Sequence, residues 1–199
     1  MSVASQYLRI YKNARTHLPG ALDSMIQVEM YSALDELLQG SGCWKEDIDF
    51  ATVADTTIYE IEPEENVALI VRLNRLENAD EIEVKSTMYE PGVIVLNTAP
   101  TVVETLTAKV VLTVSTTLAS GDPNVPEWIL AKYSTGLVDG LVGRMMAQPA
   151  KPYTSERLSI YRMRRFVGAI ARARVEAQHG NLTGGQTWQF PQSFATGRR

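Results

Sequence analysis

Between Pro19 and Leu38 apolar residues recur at helical spacing: Leu22, Met25, Ile26, Met30, Ala33, Leu34 and Leu37. Pro19 stands near the start of this run and Gly40 just past its end, so the pattern predicts one amphipathic helix. After Gly40-Ser41-Gly42 the chain changes to short runs rich in Val, Ile, Thr and Tyr: Phe50–Val53, Thr57–Ile61, Val67–Leu73, Glu81–Thr87, Val93–Leu96 and Ala108–Thr116. Pro63, Asn78-Ala79-Asp80, Pro91-Gly92 and Pro100 separate them. The gaps are too short for helical crossovers, so five or six strands are expected, mostly antiparallel.

Gly121-Asp122-Pro123-Asn124 closes the strand region. Asn124 and Glu127 have the spacing of a capping box, and Pro126 would sit in the first helical turn. From Trp128 to Met146 the apolar stripe is wide enough for the inside of a bundle, and the helix should end near Ala147. Pro149 and Pro152 bracket a tight connection to a further helix, from about Thr154 to His179, ended by Gly180. The whole pattern predicts an α+β fold. A bundle of about three long helices, from residues 1–45 and 123–180, carries an inserted, mostly antiparallel β-sheet or sandwich at 46–122. An extended C-terminal arm follows at 181–199, without periodicity but with Trp188, Phe190 and Phe194.

Charge changes this picture more than composition does. Glu46 to Glu104 holds fourteen Asp/Glu against three Lys/Arg, whereas Arg144 to Arg174 holds eight Lys/Arg against one Glu, all within a net charge of only −4. Segregation of this kind bears on association, not on fold. A content of 45% apolar and 21% charged residues excludes a disordered chain. No apolar run reaches the ~20 residues of a membrane span, and the N-terminus has no signal-peptide pattern, so no membrane association or secretion is expected.

Catalytic chemistry has few footholds. Cys43 is the single cysteine and reads as a half-buried filler beside Trp44. Of two histidines, His17 reads as a solvated loop residue and His179 as a cation at a helix C-terminus. No nucleophile elbow, phosphate loop or zinc-protease motif occurs, so no catalytic residue, metal site or cofactor is expected. Glu46, Asp47 and Asp49 lack the rest of a calcium loop. Glu60, Glu62, Glu64 and Glu65 form a second acidic cluster; the first three alternate and read as the solvent face of one strand. The basic helix carries Arg157, Arg162, Arg164, Arg165, Arg172 and Arg174, with an apolar side from Leu158, Tyr161, Phe166, Val167, Ile170 and Val175. It suits either an inter-subunit surface that meets acidic strands or a nucleic-acid contact through phosphates. The first reading is favoured because the arginines spread over more than one face.

Three stretches resemble the head-to-tail adaptor proteins of tailed, short-tailed-type bacteriophages, those related to tail tubular protein A. They are Leu18-Pro-Gly20 through Glu36-Leu-Leu38 into Cys43-Trp44; Pro123-Asn-Val-Pro126-Glu-Trp128; and Gly140-Leu-Val-Gly-Arg144 through Pro149-Ala-Lys-Pro-Tyr153 to Phe166-Val-Gly168. Together they follow the family's order over about residues 15–180. The resemblance implies a structural virion protein, not an enzyme: a ring, usually of twelve copies, below the portal at the head–tail junction. Such a ring continues the DNA channel, lets DNA pass without sequence preference, and offers a platform to a tail nozzle or tail tube protein. It would be made in the host cytoplasm. The resemblance also implies an arm that grips the portal, here with Trp188, Phe190 and Phe194 as anchors and Arg198 and Arg199 at its end. The acidic cluster at Glu60–Glu65 would line the channel or pair between subunits. A nucleic-acid-binding module using the Arg-rich helix 154–179 is the alternative, and an enzyme acting on cell-wall glycans a more distant one.

Overall fold

A computed structural model describes residues 3–64, 68–114 and 123–179. The elements run α1 (Val3–Arg15), α2 (Asp23–Ser41), β1 (Lys45–Ala51), β2 (Ile58–Glu60), β3 (Ala68–Asn78), β4 (Ser86–Glu90), β5 (Val93–Leu96), β6 (Thr105–Val114), α3 (Glu127–Ala147) and α4 (Glu156–His179). This corrects the expected fold in two respects. There are four helices among the described residues, not about three, and the strands form two small three-stranded sheets, β1-β6-β3 and β2-β5-β4, not a sandwich. Every pairing is antiparallel.

The additional helix is α1. Tyr7, Ile10 and Ala14 form a narrow buried stripe among Ser5, Arg9, Lys12 and Asn13, too sparse to stand out against the denser patterns downstream. Tyr7 anchors it by donating from its hydroxyl to the Pro123 carbonyl at 3.0 Å, ahead of α3. The second helix starts and ends later than its pattern predicts. Pro19 and Gly20 lie in the preceding turn, Gly40 lies inside the helix, and Gly42 at φ +62° makes the left-handed cap, its N–H on the Leu38 carbonyl at 2.8 Å.

Two features split the strands into separate sheets. Strand β3 changes register against β6 twice, between Ile70 and Arg72 and between Leu73 and Arg75, which coils it away from a flat ladder. Asn78 then turns the chain, its side-chain oxygen accepting from the backbone N–H groups of Asp80 and Ile82. Strands β4 and β5, which follow, are only five and four residues long, and they pair with each other and with the three-residue β2. The inner faces of both sheets share one apolar core with the helices, including Tyr59, Ile70, Leu76, Ile94 and Leu106.

Helix α3 is the hub, packed by α1, α2 and α4. Its Gly136, Gly140 and Gly143 lie on one face and let α4 come close. A methyl group there would meet the Ala169 Cβ at 2.7 Å, the Phe166 ring at 2.9 Å and the Met163 sulfur at 2.9 Å. Its N-cap is Pro126, with no side-chain cap bond, so Asn124 does not serve as the predicted cap. The insert is tied to the bundle where β6 packs on α2, with Thr113 Oγ1 donating to Asp35 at 2.6 Å. Lys45 Nζ, at the start of β1, donates to the Ala177 carbonyl at the end of α4 at 2.8 Å.

Candidate functional site

Helix α4 has two faces of different character. Ser159, Phe166 and Ala169 are buried against α3 with Met163 half-buried beside them, Ile170 lies half-buried against Gly40 of α2, and Ala173 is buried further along. The facing glycines of α3 leave room for these side chains, Phe166 over Gly140, Met163 over Gly143 and Ala169 over Gly136, and Ser159 Oγ donates to the Gly143 carbonyl at 2.7 Å. Only Phe166 and Ile170 of the predicted apolar side therefore turn inward. Leu158, Tyr161, Val167 and Val175 point to solvent together with Ile160, each 47–56% exposed.

The six arginines divide in the same way. Arg162 Nη1 donates to Asp139 at 2.7 Å, and Arg165 Nε reaches the other oxygen of the same carboxylate at 3.0 Å. Asp139, on α3, keeps only 4% of its side chain exposed, so the two arginines compensate a charge taken almost wholly out of water. His17 lies in the field of this cluster, held below its ordinary pKa by desolvation first and by the Arg162 charge second. Arg174 Nε donates to the Gly40 carbonyl at 2.7 Å, satisfying a carbonyl near the C-terminus of α2. Arg172 reaches back to the Gly168 carbonyl of its own helix at 3.4 Å. Arg157 and Arg164 are exposed and make no ion pair or hydrogen bond among the described residues. Three tertiary anchors and three outward cations result, the latter set among exposed aliphatic and aromatic side chains.

The acidic insert is partly self-neutralised. Glu77 is paired with Lys109 at 2.7 Å and Arg75 at 2.8 Å, and Asp49 accepts from Thr107 Oγ1 at 2.7 Å. The Lys109 hydrogen bond, and then the Arg75 charge, hold Glu77 below the usual carboxylate range against the opposing effect of burial. The predicted alternating strand Glu60–Glu64 is corrected: β2 ends at Glu60, and Glu62 and Glu64 follow in irregular chain around Pro63. All three are exposed. Glu65 lies outside the described residues, as does the entire arm with Trp188, Phe190, Phe194, Arg198 and Arg199.

Sequence reasoning passed over one further patch. In the sheet β2-β5-β4, the register aligns Ile58, Val95 and Thr87 in one row and Glu60, Val93 and Glu90 in the next. The alternate row, Tyr59, Ile94 and Met88, turns into the core. The outer face thus presents Ile58 and the half-exposed Val93 and Val95 between two exposed carboxylates. The alternation in Ile58–Glu60 and Val93–Leu96 was the available signal. Asp139 was missed as well, although a lone acid inside the run Leu137–Met146 marks a buried charge that needs a partner.

Other reactive groups are held in structural roles. Cys43 is buried, and burial pushes its thiol up. The Tyr133 hydroxyl donates to Glu176 at 2.8 Å, and Lys132 reaches the same oxygen at 3.0 Å. Desolvation first, then the bond to Glu176, raises the Tyr133 phenol. Among the described residues no group of three His, Cys, Asp or Glu is placed to hold a metal ion, and no helix is long and apolar enough to cross a membrane. A surface cleft of about 390 Å³ beside Ile61, Pro63 and Pro91 has Glu62 as its ionisable lining residue, with apolar residues, prolines and a glycine around it. No protein-family model matches the chain, and no curated protein matches it in sequence.

Proposed function

We propose that this chain is a structural virion protein: a head-to-tail adaptor whose copies form a ring below the portal, continue the DNA channel and provide the docking platform for the tail. The observation that carries the reading is the outward face of α4, where Arg157, Arg164 and Arg172 alternate with exposed Ile160, Tyr161, Val167 and Val175. A phosphate-binding helix gains nothing from exposed aliphatic residues, whereas a protein interface uses them for burial and the arginines for orientation. Arg162 and Arg165 share the Asp139 carboxylate, which lowers the charge left for a polyanion, and Arg174 is tied to the Gly40 carbonyl. A closed ring needs two different complementary surfaces on every copy, and the separation of basic α4 from the acidic insert provides them.

On this reading the partners are the portal protein, a tail nozzle or tail tube protein, and further copies of the chain, twelve in the ring. DNA passes through without sequence-specific contact, the residence is the head–tail junction of the virion, and the arm 181–199 grips the portal. Native mass measurement of the protein alone, and mixed with the portal of the same virus, tests this. Joining the portal in a fixed ratio supports it. A monomer that ignores the portal but binds duplex DNA at low salt overturns it in favour of a nucleic-acid module. Replacing Trp188, Phe190 and Phe194 together by Ala is expected to abolish portal attachment while leaving the fold intact, as read by co-sedimentation and circular dichroism. Unchanged attachment removes the arm from the proposal.

A further inference from the structure

We infer that the outward face of α4 packs on the outer face of the sheet β2-β5-β4 of a second copy, head to tail. The inference rests on the proposed ring and names the two surfaces that close it. On α4, Arg157, Tyr161, Arg164, Gly168, Ala171 and Val175 follow one another at alternating steps of four and three residues, so they form one straight seam along the helix. This seam lies opposite the residues that pack on α3, and Ile160 and Val167 widen its apolar part. At its centre a side chain on Gly168 would meet nothing within 4 Å, so the middle of the seam is open to a close neighbour.

The sheet face has matching chemistry. Ile58, Val93 and Val95 are apolar residues left exposed or half-exposed among the described residues, and Glu60 and Glu90 flank Val93 on either side. Spacing agrees as well as sign. Arg157 and Arg164 are two turns apart, ~10 Å along the helix. Glu60 and Glu90 are separated by one intervening strand, again ~10 Å. A helix laid across the three strands brings one arginine to each carboxylate, with Tyr161 between them over Val93. The same two surfaces exist on every copy and are not alike, so the contact propagates from one copy to the next and closes only as a ring.

Two charge-reversed variants test this. Arg157→Glu/Arg164→Glu alters only the helix face, and Glu60→Arg/Glu90→Arg only the sheet face; all four positions are exposed, and circular dichroism checks that both variants fold. Each variant alone places like charges across the contact and is expected to associate about a hundredfold more weakly than the wild type in sedimentation or native mass measurements. An equimolar mixture restores opposite charges at every contact when the two variants alternate, because reversed helices then meet reversed sheets and unaltered helices meet unaltered sheets, and is expected to recover the wild-type assembly. The inference is overturned by a wild type that stays monomeric, by either variant keeping the wild-type mass, or by a mixture that stays dissociated. Loss of duplex DNA binding by the helix variant with assembly unchanged also overturns it, in favour of nucleic acid. Portal attachment by the wild type is scored separately: if it fails, the adaptor reading falls while head-to-tail pairing stands, and if it survives in both variants with wild-type stoichiometry, the pairing falls alone.

Discussion

Replacing glycines of α3 and α4 one at a time by alanine measures how closely the two helices approach. At Gly136 the new methyl would lie 2.7 Å from the Ala169 Cβ, where carbon atoms in contact sit at ~3.5–4.0 Å. Ala169 has no rotamer to change, so the backbones must part by about 1 Å. Overpacking of this kind costs about 1–3 kcal/mol, and the better helix propensity of alanine returns about 1 kcal/mol. A net loss of up to about 2 kcal/mol is expected. Gly140→Ala meets the Phe166 ring at 2.9 Å, and this fully buried ring can only tilt, so about 1 kcal/mol is lost. At Gly143 the sulfur and Cγ of Met163 belong to a flexible chain that can yield, while the Met163 backbone nitrogen at 3.3 Å offsets the propensity gain, so the substitution is close to neutral. Gly168→Ala has open space and gains the full propensity term of about 1 kcal/mol. Urea denaturation should therefore rank the variants Gly168→Ala, Gly143→Ala, Gly140→Ala, Gly136→Ala from most to least stable, with the extremes about 1–3 kcal/mol or ~2–12 °C in Tm apart. Equal stability of the Gly136 and Gly168 variants would refute the close approach of α3 and α4.

Two further perturbations test the internal ion pairs. Asp139→Ala leaves Arg162, only 17% exposed, without its partner and should cost about 2–4 kcal/mol by denaturation, whereas Arg165→Ala, at a half-exposed position, should cost less than about 1 kcal/mol. Glu77 is held below its ordinary pKa, so its stabilisation is complete above the unfolded carboxylate value and disappears as pH falls through the depressed folded value. Glu77→Gln should consequently destabilise the protein at neutral pH, with the difference from wild type closing on acidification in a series of denaturation curves. A pH-independent difference would remove Lys109 and Arg75 as its cause.

Long helices with dense apolar stripes were legible in the sequence because burial on many sides leaves few polar interruptions, as in α3. Their ends were less so. Asn124 and Glu127 carry the capping-box spacing, but the cap falls on Pro126, with φ −48° and ψ 125°. Gly40 reads as a stop, yet Gly42 takes that role, and Gly40 is instead a contact point for Ile170, whose Cγ2 a methyl group there would approach to 2.7 Å. Helix α1 was hidden because its buried stripe is only a few residues wide and gains its meaning from α3, far along the chain. The alternation of Glu60, Glu62 and Glu64 suggested a strand that Pro63 interrupts, since proline offers no N–H to a ladder.

The basic helix was legible as a surface, but the sequence could not assign its individual charges. The predicted apolar side mixes two populations: Phe166 and Ile170 bury themselves in the bundle, while Tyr161, Val167 and Val175 stay outside. Which population a residue joins depends on where the glycines of α3 fall, because Gly140 and Gly143 leave room for the Phe166 ring and the Met163 side chain while Gly136 meets Ala169. The same rotation sets the arginines. Arg162 and Arg165 come within reach of Asp139, Arg174 reaches the end of α2, and Arg157 and Arg164 are left beside exposed apolar residues. Close packing on one side of α4 therefore determines the sticky, cationic character of the other. If the α3 glycines set that rotation, Gly136→Ala should weaken copy-to-copy association as well as stability, whereas Gly143→Ala should leave both unchanged. Separation of the two effects in sedimentation experiments would show that the outward face is fixed by something other than the α3–α4 contact.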